Sequence, residues 1–479
     1  MSNTELLTDY SGRDLTAGLE RSLKRLNEEC PELTDLNPTD PGVAIVRNTE
    51  RDVDLLNLYL DLAFAESFVR TAKFKQSIIE LAYLVGVQPK LASAAMTLLR
   101  ITRVIQSGGT RNDITIRKYA PFQRSDGLVY LTMESVFIPA ASDYVHVAAW
   151  QGELVTKTVT PDDLEIVDLS GYPKFNLGSN VAARSVIITH RDGSTAWTEV
   201  DSFWRSTPED WHFNLELYAD EWEGETDTVF AVFGNGIKGR TVPVEGVTIS
   251  FLRTAGSSGN SGTNTITTST GAFAGIVTVS NIELATSGAG AEGTESLRER
   301  MPGAVQIQQA AVTKLNYESL LKRIPGVAQC QCVDRNDSSE WPHLHVSLYV
   351  LPEGGGPMSS PLKEIIYQEL REWGHLGNWD NRYILLEAIS VPINIACRVN
   401  IANGYADSTV QNNVYQAILN QFFFDNLTIN GRFDFTDLNV TASRVAGVNW
   451  IEFDEPKADV ILGIGQYPVP GTITVNVVS

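Results

Sequence analysis

Three glycines, Gly234, Gly236 and Gly239, have the G-x-G-x-x-G spacing that binds dinucleotide phosphates when it leads from a strand into a helix. That chemistry needs the helix, because its N-terminus stabilises the pyrophosphate. Here a proline and a second run of strand-forming residues follow the glycines instead. The acid that would bind the ribose is also missing, since no Asp or Glu occurs from Gly246 to Ile282. The spacing therefore does not predict a nucleotide site.

The pair Asn235-Gly236 stands between two strand-like runs, 228–233 and 247–252. Both residue types tolerate a positive φ, so this pair between β-type runs is typical of a tight hairpin turn. We therefore predict a β-hairpin in which the glycines serve backbone geometry rather than phosphate binding. The predicted turn residues are Gly234, Asn235, Gly236 and Gly239.

The remaining candidates for chemistry do not form a recognisable set. His343 and His345 lie two apart on a predicted strand, but a metal site needs three or four ligands and the chain has no H-E-x-x-H motif. The chain also lacks a G-x-S-x-G nucleophile elbow. Hydrolysis by two carboxylates stays open, because a sequence does not show which carboxylates lie close in space. We expect no catalytic residue, no cofactor site and no metal site.

The composition is that of a globular, acidic chain. Its 479 residues suffice for roughly three domains of ordinary size. With 37 Lys and Arg against 58 Asp and Glu, the net charge of −21 repels phosphate backbones and anionic lipid. No apolar run reaches the ~18 residues that a transmembrane helix needs. We expect neither nucleic-acid binding nor membrane insertion. The four cysteines and the polar N-terminus, which lacks a secretory signal, predict a protein made in a reducing cytoplasm.

Residues 1–90 are predicted to be a helical region. Asp40 suits a helix N-cap, and Pro41 suits the first helical position, where its missing N–H costs nothing. The long helix that follows carries more apolar residues than a small bundle can bury, so we expect it to contact other subunits as well as its own core. The predicted interface residues on this helix are Leu55, Leu58, Tyr59 and Leu62.

The central part of the chain changes to the short, turn-bounded runs of β-structure. We predict a β-rich domain over residues 91–160, completed by 247–295, and an inserted or divergent β-rich domain over 161–246 that ends in the hairpin. Four tryptophans of the inserted domain are predicted to fill its core. Residues 254–294 are rich in Gly, Ser, Thr and Asn, which is typical of a flexible linker. Ile266, Phe273 and Ile282 interrupt this segment regularly, which instead favours thin strands or an extended arm that lies on another surface.

The last third alternates helices and strands and predicts two α+β units in tandem, residues 296–400 and 401–479. The sequence I-P-G-V-A-Q-C-Q-C-V-D at 324–334 is echoed by V-A-G-V-N-W-I-E-F-D-E at 445–455, each after an amphipathic helix. The second unit is expected to dimerise. A strand with clean alternation at the end of the first unit supplies the predicted interface residues Val391, Ile393 and Ile395.

Several of these stretches, in this order, resemble the baseplate J-like family of contractile phage tails, which includes the wedge ring protein of myophage baseplates. The usual Asp of the family's F-G-x-G turn is replaced by Asn235, which keeps the turn chemistry. The segment 140–230 carries little of the family signature. The matching stretches are N-P-T-D-P-G-V-A-I-V at 37–46, S-I-I-E-L-A-Y-L-V-G-V at 77–87, F-Q-R-S-D-G-L-V-Y at 122–130, V-F-G-N-G-I-K-G-R at 232–240, G-A-G-A-E-G-T-E-S-L at 288–297 and A-V-T-K-L-N-Y-E-S-L-L-K-R-I-P-G-V-A at 311–328.

The resemblance implies a structural protein of the virion, located in the tail baseplate and assembled in the host cytoplasm. Its implied partners are a second copy of itself, other baseplate wedge proteins, neighbouring wedges and the central hub. Such a protein links the wedges into a ring and transmits the change that triggers sheath contraction. Two alternatives remain: a tail-associated polysaccharide-degrading enzyme, and the equivalent wedge part of a phage-derived contractile injection system.

Overall fold

The fold is known from a computed structural model. It describes residues 15–29, 37, 41–104, 112–166, 171–219, 227–270, 273–305, 311–337, 345–375, 382–402, 404–422 and 429–478. Residues 1–86 form one compact unit, and residues 87–220 with 225–479 form another. The described chain is a mixed α+β structure dominated by strands, so the predicted α+β class is confirmed at this level.

The N-terminal unit contains three helices, α1 (Leu15–Glu29), α2 (Pro41–Ala65) and α3 (Lys75–Leu84). Helix α2 begins at Pro41, the position that the sequence favours for a helix start; Asp40 lies outside the described residues. The side chain of Ser22 on α1 donates a hydrogen bond to the Glu50 carboxylate on α2, so a polar contact joins these two helices.

The second unit begins with a series of strands. They are β1 (Met96–Arg103), β2 (Ile114–Ile116), β3 (Pro121–Arg124), β4 (Val129–Thr132), β5 (Val136–Ile138), β6 (Tyr144–Gln151), β7 (Glu153–Val159), β8 (Lys174–Gly178), β9 (Ile187–His190), β10 (Thr198–Glu199), β11 (His212–Tyr218), β12 (Thr228–Phe233), β13 (Val247–Arg253), β14 (Ile266–Ser269) and β15 (Val277–Asn281).

One six-stranded sheet, in the order β14-β3-β4-β6-β1-β15, encloses an apolar core. Its two end strands also meet, because the Asn264 N–H donates to the Asn281 carbonyl at 2.9 Å and the Ser269 hydroxyl donates to the Val277 carbonyl at 3.1 Å. The sheet is thus curled toward a barrel. Phe122 and Tyr130 are among the largest side chains in its interior.

The flexible linker and the extended arm predicted at 254–294 are wrong, whereas the thin strands are present, because this segment supplies β14, β15 and part of the barrel core. Ile266, Val277 and Val279 are buried inside the barrel. A polar side chain also stabilises this segment. The buried Asn281 side chain hydrogen-bonds to backbone groups within the segment, including the N–H of Thr265. A composition rich in small polar residues was therefore compatible with a folded strand pair.

The strands after the barrel form a four-stranded sheet, β10-β11-β12-β8, and a three-stranded sheet, β7-β13-β9. The predicted hairpin is wrong, because β12 and β13 lie in different sheets. β12 pairs with β11 and β8, whereas β13 pairs with β7 and β9, so the chain crosses from one sheet to the other after Gly239. A tight local turn does not fix which strands pair, because partners far along the chain compete.

The prediction that the tryptophans of this region fill its core holds only in part. Trp197 is buried against Phe233, with ring centroids 5.3 Å apart. Trp211 is half-buried and lies under the guanidinium of Arg240 at 4.2 Å. Trp204 is exposed, and Trp222 lies outside the described residues.

The C-terminal third contains the remaining elements. They are α4 (Thr294–Val305), α5 (Lys314–Lys322), β16 (Val327–Val333), β17 (Val346–Pro352), α6 (Ser360–Trp373), β18 (Tyr383–Glu387), β19 (Ile389–Ile401), α7 (Asp407–Asn420), β20 (Arg432–Phe433), α8 (Phe435–Ser443), β21 (Val448–Glu455), β22 (Val460–Ile461) and β23 (Gln466–Val478).

Two three-stranded sheets, β16-β17-β18 and β21-β19-β23, have the same arrangement. In each, the central strand pairs antiparallel with one neighbour and parallel with the other. The echoing segments occupy the same place in both: a helix, a glycine with a φ near +90° (Gly326, +91°; Gly447, +93°) and the antiparallel edge strand. The helix and edge strand precede the central strand in the first sheet and follow it in the second.

Strand β19 is the central strand of the sheet β21-β19-β23. The boundary predicted between residues 400 and 401 is therefore misplaced, and the second α+β unit begins before β19. The alternation along β19 is present, but its buried face packs inside the unit. Ile393 and Ile395 are buried in one core with Val410 and Leu438 of α7 and α8. Their prediction as subunit-interface residues is therefore wrong; Val391 is half-buried.

Candidate interaction surfaces

Among the described residues, no group of three or more His, Cys, Asp or Glu could hold a metal ion. Burial raises the pKa of the Cys332 thiol to about 12 and that of the Cys397 thiol to about 11, so both thiols stay protonated near neutral pH. His343 lies outside the described residues, and His345 directly precedes β17. No described helix is long and apolar enough to cross a membrane.

Backbone N–H groups of the glycine loop between β12 and β13 donate hydrogen bonds to acceptors within the same loop. The Asn235 side-chain oxygen accepts hydrogen bonds from the N–H groups of Ile237 (3.0 Å) and Lys238 (2.9 Å). The Asn235 and Gly236 N–H groups donate to the carbonyls of Lys238 and Gly239 at 3.3 and 3.0 Å. A phosphate-binding loop instead directs such N–H groups at the ligand. The loop geometry therefore gives no support to nucleotide binding.

The glycines of this loop are required by geometry. Gly236 and Gly239 have φ values of +83° and +75°, a region in which side chains are strained. Gly234 has an ordinary φ, but a Cβ there would lie 2.1 Å from the carbonyl carbon of Gly239. The three glycines therefore let the two sides of the loop touch, and Asn235 holds the apex.

Helix α2 of the N-terminal unit carries a row of exposed apolar side chains. Only two side chains of this 25-residue helix are buried, Val43 and Ala65. Leu55, Leu56, Tyr59 and Leu60 recur at helical spacing and are all exposed, Leu60 by 64%. We call these four residues the α2 stripe.

Of the residues predicted on this helix, Leu55, Leu58 and Tyr59 are exposed, and Leu62 is half-buried. Leu56 and Leu60 are also exposed but are not among the predicted interface residues, although their four-residue spacing indicates a shared face. Isolated exposed leucines are normal on protein surfaces. A stripe of four on one helix is the kind of patch that marks an interaction site.

The second sheet of the C-terminal third has two edge strands, β21 and the longer β23, each paired only with β19 among the described strands. The 13-residue strand β23 pairs with β19, and no other described strand pairs with it. Thr472, Thr474 and Asn476 alternate along β23 as exposed positions, while Val475 points into the core. Such an edge presents unpaired backbone donors and acceptors, which another strand can bind.

A buried ion pair joins the segment before β1 to helix α4. Arg300 binds both carboxylate oxygens of Glu292, at 2.9 and 2.7 Å, and donates to the Gln88 carbonyl at 2.6 Å. The Lys90 N–H also donates to Glu292, and the Lys90 ammonium reaches the Val327 carbonyl. Burial opposes ionisation of Glu292, but the hydrogen bonds and charge of Arg300 outweigh it and lower its pKa. The cluster is saturated by internal contacts and is structural.

Comparison with known proteins bears on the C-terminal end. Residues 393–476 match the family model described as Baseplate J-like protein C-terminal domain. A search of curated proteins returned no significant match. Among solved structures, one chain in the "Cryo-EM structure of the anti-feeding prophage (AFP) baseplate, 6-fold symmetrised" aligns at 14% identity, covering 95% of this chain and 90% of that chain, with a TM-score of 0.28. Such a score is too low to support an argument about fold or function.

The matched segment runs from within β19 to within β23 and so covers the sheet, both helices and the open edge described above. The resemblance to the baseplate J-like family, expected from motifs nearer the N-terminus, is confirmed by this C-terminal domain.

Proposed function

We propose that this chain is a structural component of a contractile-tail baseplate. In this role it would pair with a second copy, attach to other wedge proteins through its N-terminal helices, and link neighbouring wedges around the central hub. The observation that carries the proposal is the α2 stripe, which the described N-terminal helices leave exposed. The family match at residues 393–476 supports the same role.

The N-terminal helices fit a segment that is completed by a partner. A surface helix normally buries an apolar stripe against its own core. Here Leu56, Tyr59 and Leu60 are exposed, although Val43 of the same helix is buried. Fully burying one leucine is worth about 1.5–3 kcal/mol. A partner that covered the stripe would therefore gain substantial free energy, and we assign residues 1–90 to attachment.

The open edge of β23 fits self-association. Two copies related by a twofold axis could pair their β23 strands antiparallel and extend the sheet across both subunits, because a twofold interface places the same element opposite itself. The exposed threonines at positions 472 and 474 suit a sheet surface beside water. We therefore assign dimerisation to the second α+β unit through this edge, in place of the buried face of β19.

The central regions lie between these two ends in the sequence. We propose residues 91–160 with 247–295 as one β-rich body, 161–246 as an inserted body, and the first α+β unit from 296 to the start of β19. The sheet β7-β13-β9 takes two strands from the first of these bodies and one from the inserted body, which favours a rigid connection between those two bodies. Bodies connected in this way would transmit a rearrangement of the baseplate when the sheath contracts. The same role fits a phage tail and a phage-derived injection system; a neighbouring capsid gene would indicate a phage.

The test changes the α2 stripe in the full chain. The double variant Leu56→Lys, Leu60→Lys should fold, because both side chains are exposed, yet it should fail to enter baseplates purified from the producing cells. The matched control is Ile461→Lys, at an exposed apolar position on the C-terminal unit. Light scattering on the free chain should give a dimer for all three proteins. Normal incorporation of the double variant would refute the attachment role, and a monomeric wild type would refute dimerisation.

A further inference from the structure

A second exposed apolar site lies at the end of the four-stranded sheet, far along the chain from α2. Trp204 follows the buried Phe203 in a short 3-10 helix, Phe203–Arg205, and its side chain is 80% exposed. Ile237, at the apex of the glycine loop, is 72% exposed. The Lys238 ammonium joins the two, because it donates to the Trp204 carbonyl at 3.0 Å and lies 5.9 Å from the Trp204 ring centroid. We call Trp204, Ile237 and Lys238 the apex.

The contacts of Phe203 keep the side chain of Trp204 exposed to solvent. The Phe203 ring stacks on Tyr172 with centroids 4.9 Å apart, and it packs so closely on Gly239 that a Cβ there would lie 3.1 Å from the ring. The Ser202 hydroxyl also accepts a hydrogen bond from the Trp204 N–H at 3.3 Å. With Phe203 anchored, the next side chain in this short helix must point away from the sheet.

The glycine loop is tied to the same segment. The Gly239 N–H donates to the Thr207 carbonyl at 3.1 Å, and the Arg240 N–H donates to the Asp210 carbonyl at 2.9 Å. Two hydrogen bonds to the Asn235 side chain fix the backbone on the other side. The apex is therefore preorganised, so a partner would lose little conformational entropy in binding it.

Exposed, rigid tryptophans beside basic residues are typical of the residues that dominate binding at protein interfaces. The Lys238 ammonium places a positive charge beside the Trp204 ring, whereas the rest of the segment is mixed, with Arg205 accompanied by Asp201 and Glu209. The charge at the ring therefore complements a carboxylate on the surface of an acidic partner.

We infer that the apex binds an acidic protein surface on a neighbouring baseplate subunit. An apolar pocket of that subunit takes Trp204 and Ile237, and carboxylates at its rim pair with Lys238 and Arg205. The inference rests on the proposed baseplate role and adds a third contact, separate in sequence from the α2 stripe and the β23 edge.

The first test places a photo-crosslinking amino acid at position 237 of the full chain, with position 461 as a matched exposed isoleucine elsewhere. Baseplates are purified from the producing cells and irradiated, and the cross-linked peptides are identified by mass spectrometry. Position 237 should cross-link to one protein segment that contains Asp or Glu, and position 461 should not reach that segment. Cross-links to a segment without acids, or to no protein at all, would overturn the inference.

The second test uses charge and size at the apex. Trp204→Ala and Lys238→Glu should each lower incorporation into baseplates by at least about tenfold, as expected for residues central to an interface. Lys238→Arg should incorporate normally, because it keeps the charge. If wild type and both variants incorporate equally, the apex inference fails and the baseplate role stands. If the wild type itself is absent from purified baseplates, the proposed function fails.

Discussion

The side chain of Asn281 closes the curled six-stranded sheet, and removing it should open that closure. Its carbonyl oxygen accepts from the N–H groups of Thr265 (2.8 Å) and Ile266 (3.0 Å). Its amide group donates to the carbonyls of Gly262 and Glu283, both at 2.8 Å. Asn281 is fully buried, so water cannot take over these bonds while the strands stay in place. The variant to make is Asn281→Leu, which keeps the side-chain size and removes every polar atom.

The expected cost follows from the four hydrogen bonds. A typical intramolecular hydrogen bond contributes about 1 kcal/mol net, so losing four costs about 4 kcal/mol. Gly262 lies at the surface and can recover its bond with water, whereas the buried Ile266 N–H cannot, which makes the latter the more costly loss. We expect the loss to appear as local opening of β14 and β15, because the other strands of the sheet keep their own pairing.

Hydrogen exchange on the full chain measures this opening strand by strand. A local loss of about 4 kcal/mol should speed exchange of the β14 and β15 amides by about a thousandfold. The control is Thr278→Ala on the same strand, since Thr278 is exposed and its hydroxyl makes one long contact, 3.4 Å to the Thr102 carbonyl. Exchange that is equally slow in the leucine variant and the control would refute the assignment of Asn281 as the closing residue.

Three further outcomes are expected. Glu292→Ala should lower the free energy of unfolding by about 3–5 kcal/mol, because the substitution leaves the buried Arg300 unpaired. The control Glu295→Ala, at a carboxylate with 70% side-chain exposure, should change the free energy of unfolding by less than about 0.5 kcal/mol. In urea titrations of the wild type, the Glu292 contribution should be present above about pH 4.5, the ordinary pKa, and should be lost as the pH falls through the lowered pKa of the folded state; this acid sensitivity should be smaller in Glu292→Ala. Gly234→Ala should destabilise the glycine loop more than Gly236→Ala does, because only the former places a Cβ within 2.1 Å of backbone; equal thermal stability of the two variants would contradict the close-approach role.

Local patterns in the sequence determined several parts of this protein. Pro41 begins α2, since a ring-fixed φ and a missing N–H suit the first helical position. The strict alternation of apolar residues along 391–401 marks a strand with one buried face, and β19 has that face. The repeated helix-glycine-strand pattern at 324–334 and 445–455 corresponds to equivalent edges of two sheets, because each glycine adopts a left-handed φ there. Such features depend on neighbours within a few residues.

The tertiary structure decided which residues that are distant in the sequence come into contact. Asn235-Gly236 forms a tight loop, but its flanking strands pair with β8, β11, β7 and β9 instead of each other. The glycine- and serine-rich stretch forms barrel strands because one buried side chain, Asn281, satisfies backbone groups that lie up to 19 residues away. Whether an apolar face is a core or an interface is also a tertiary fact. Ile395 is covered by helices of its own unit, whereas Leu60 and Trp204 are exposed. Their local sequences do not distinguish them, because the burial of a side chain depends on which distant elements pack against it.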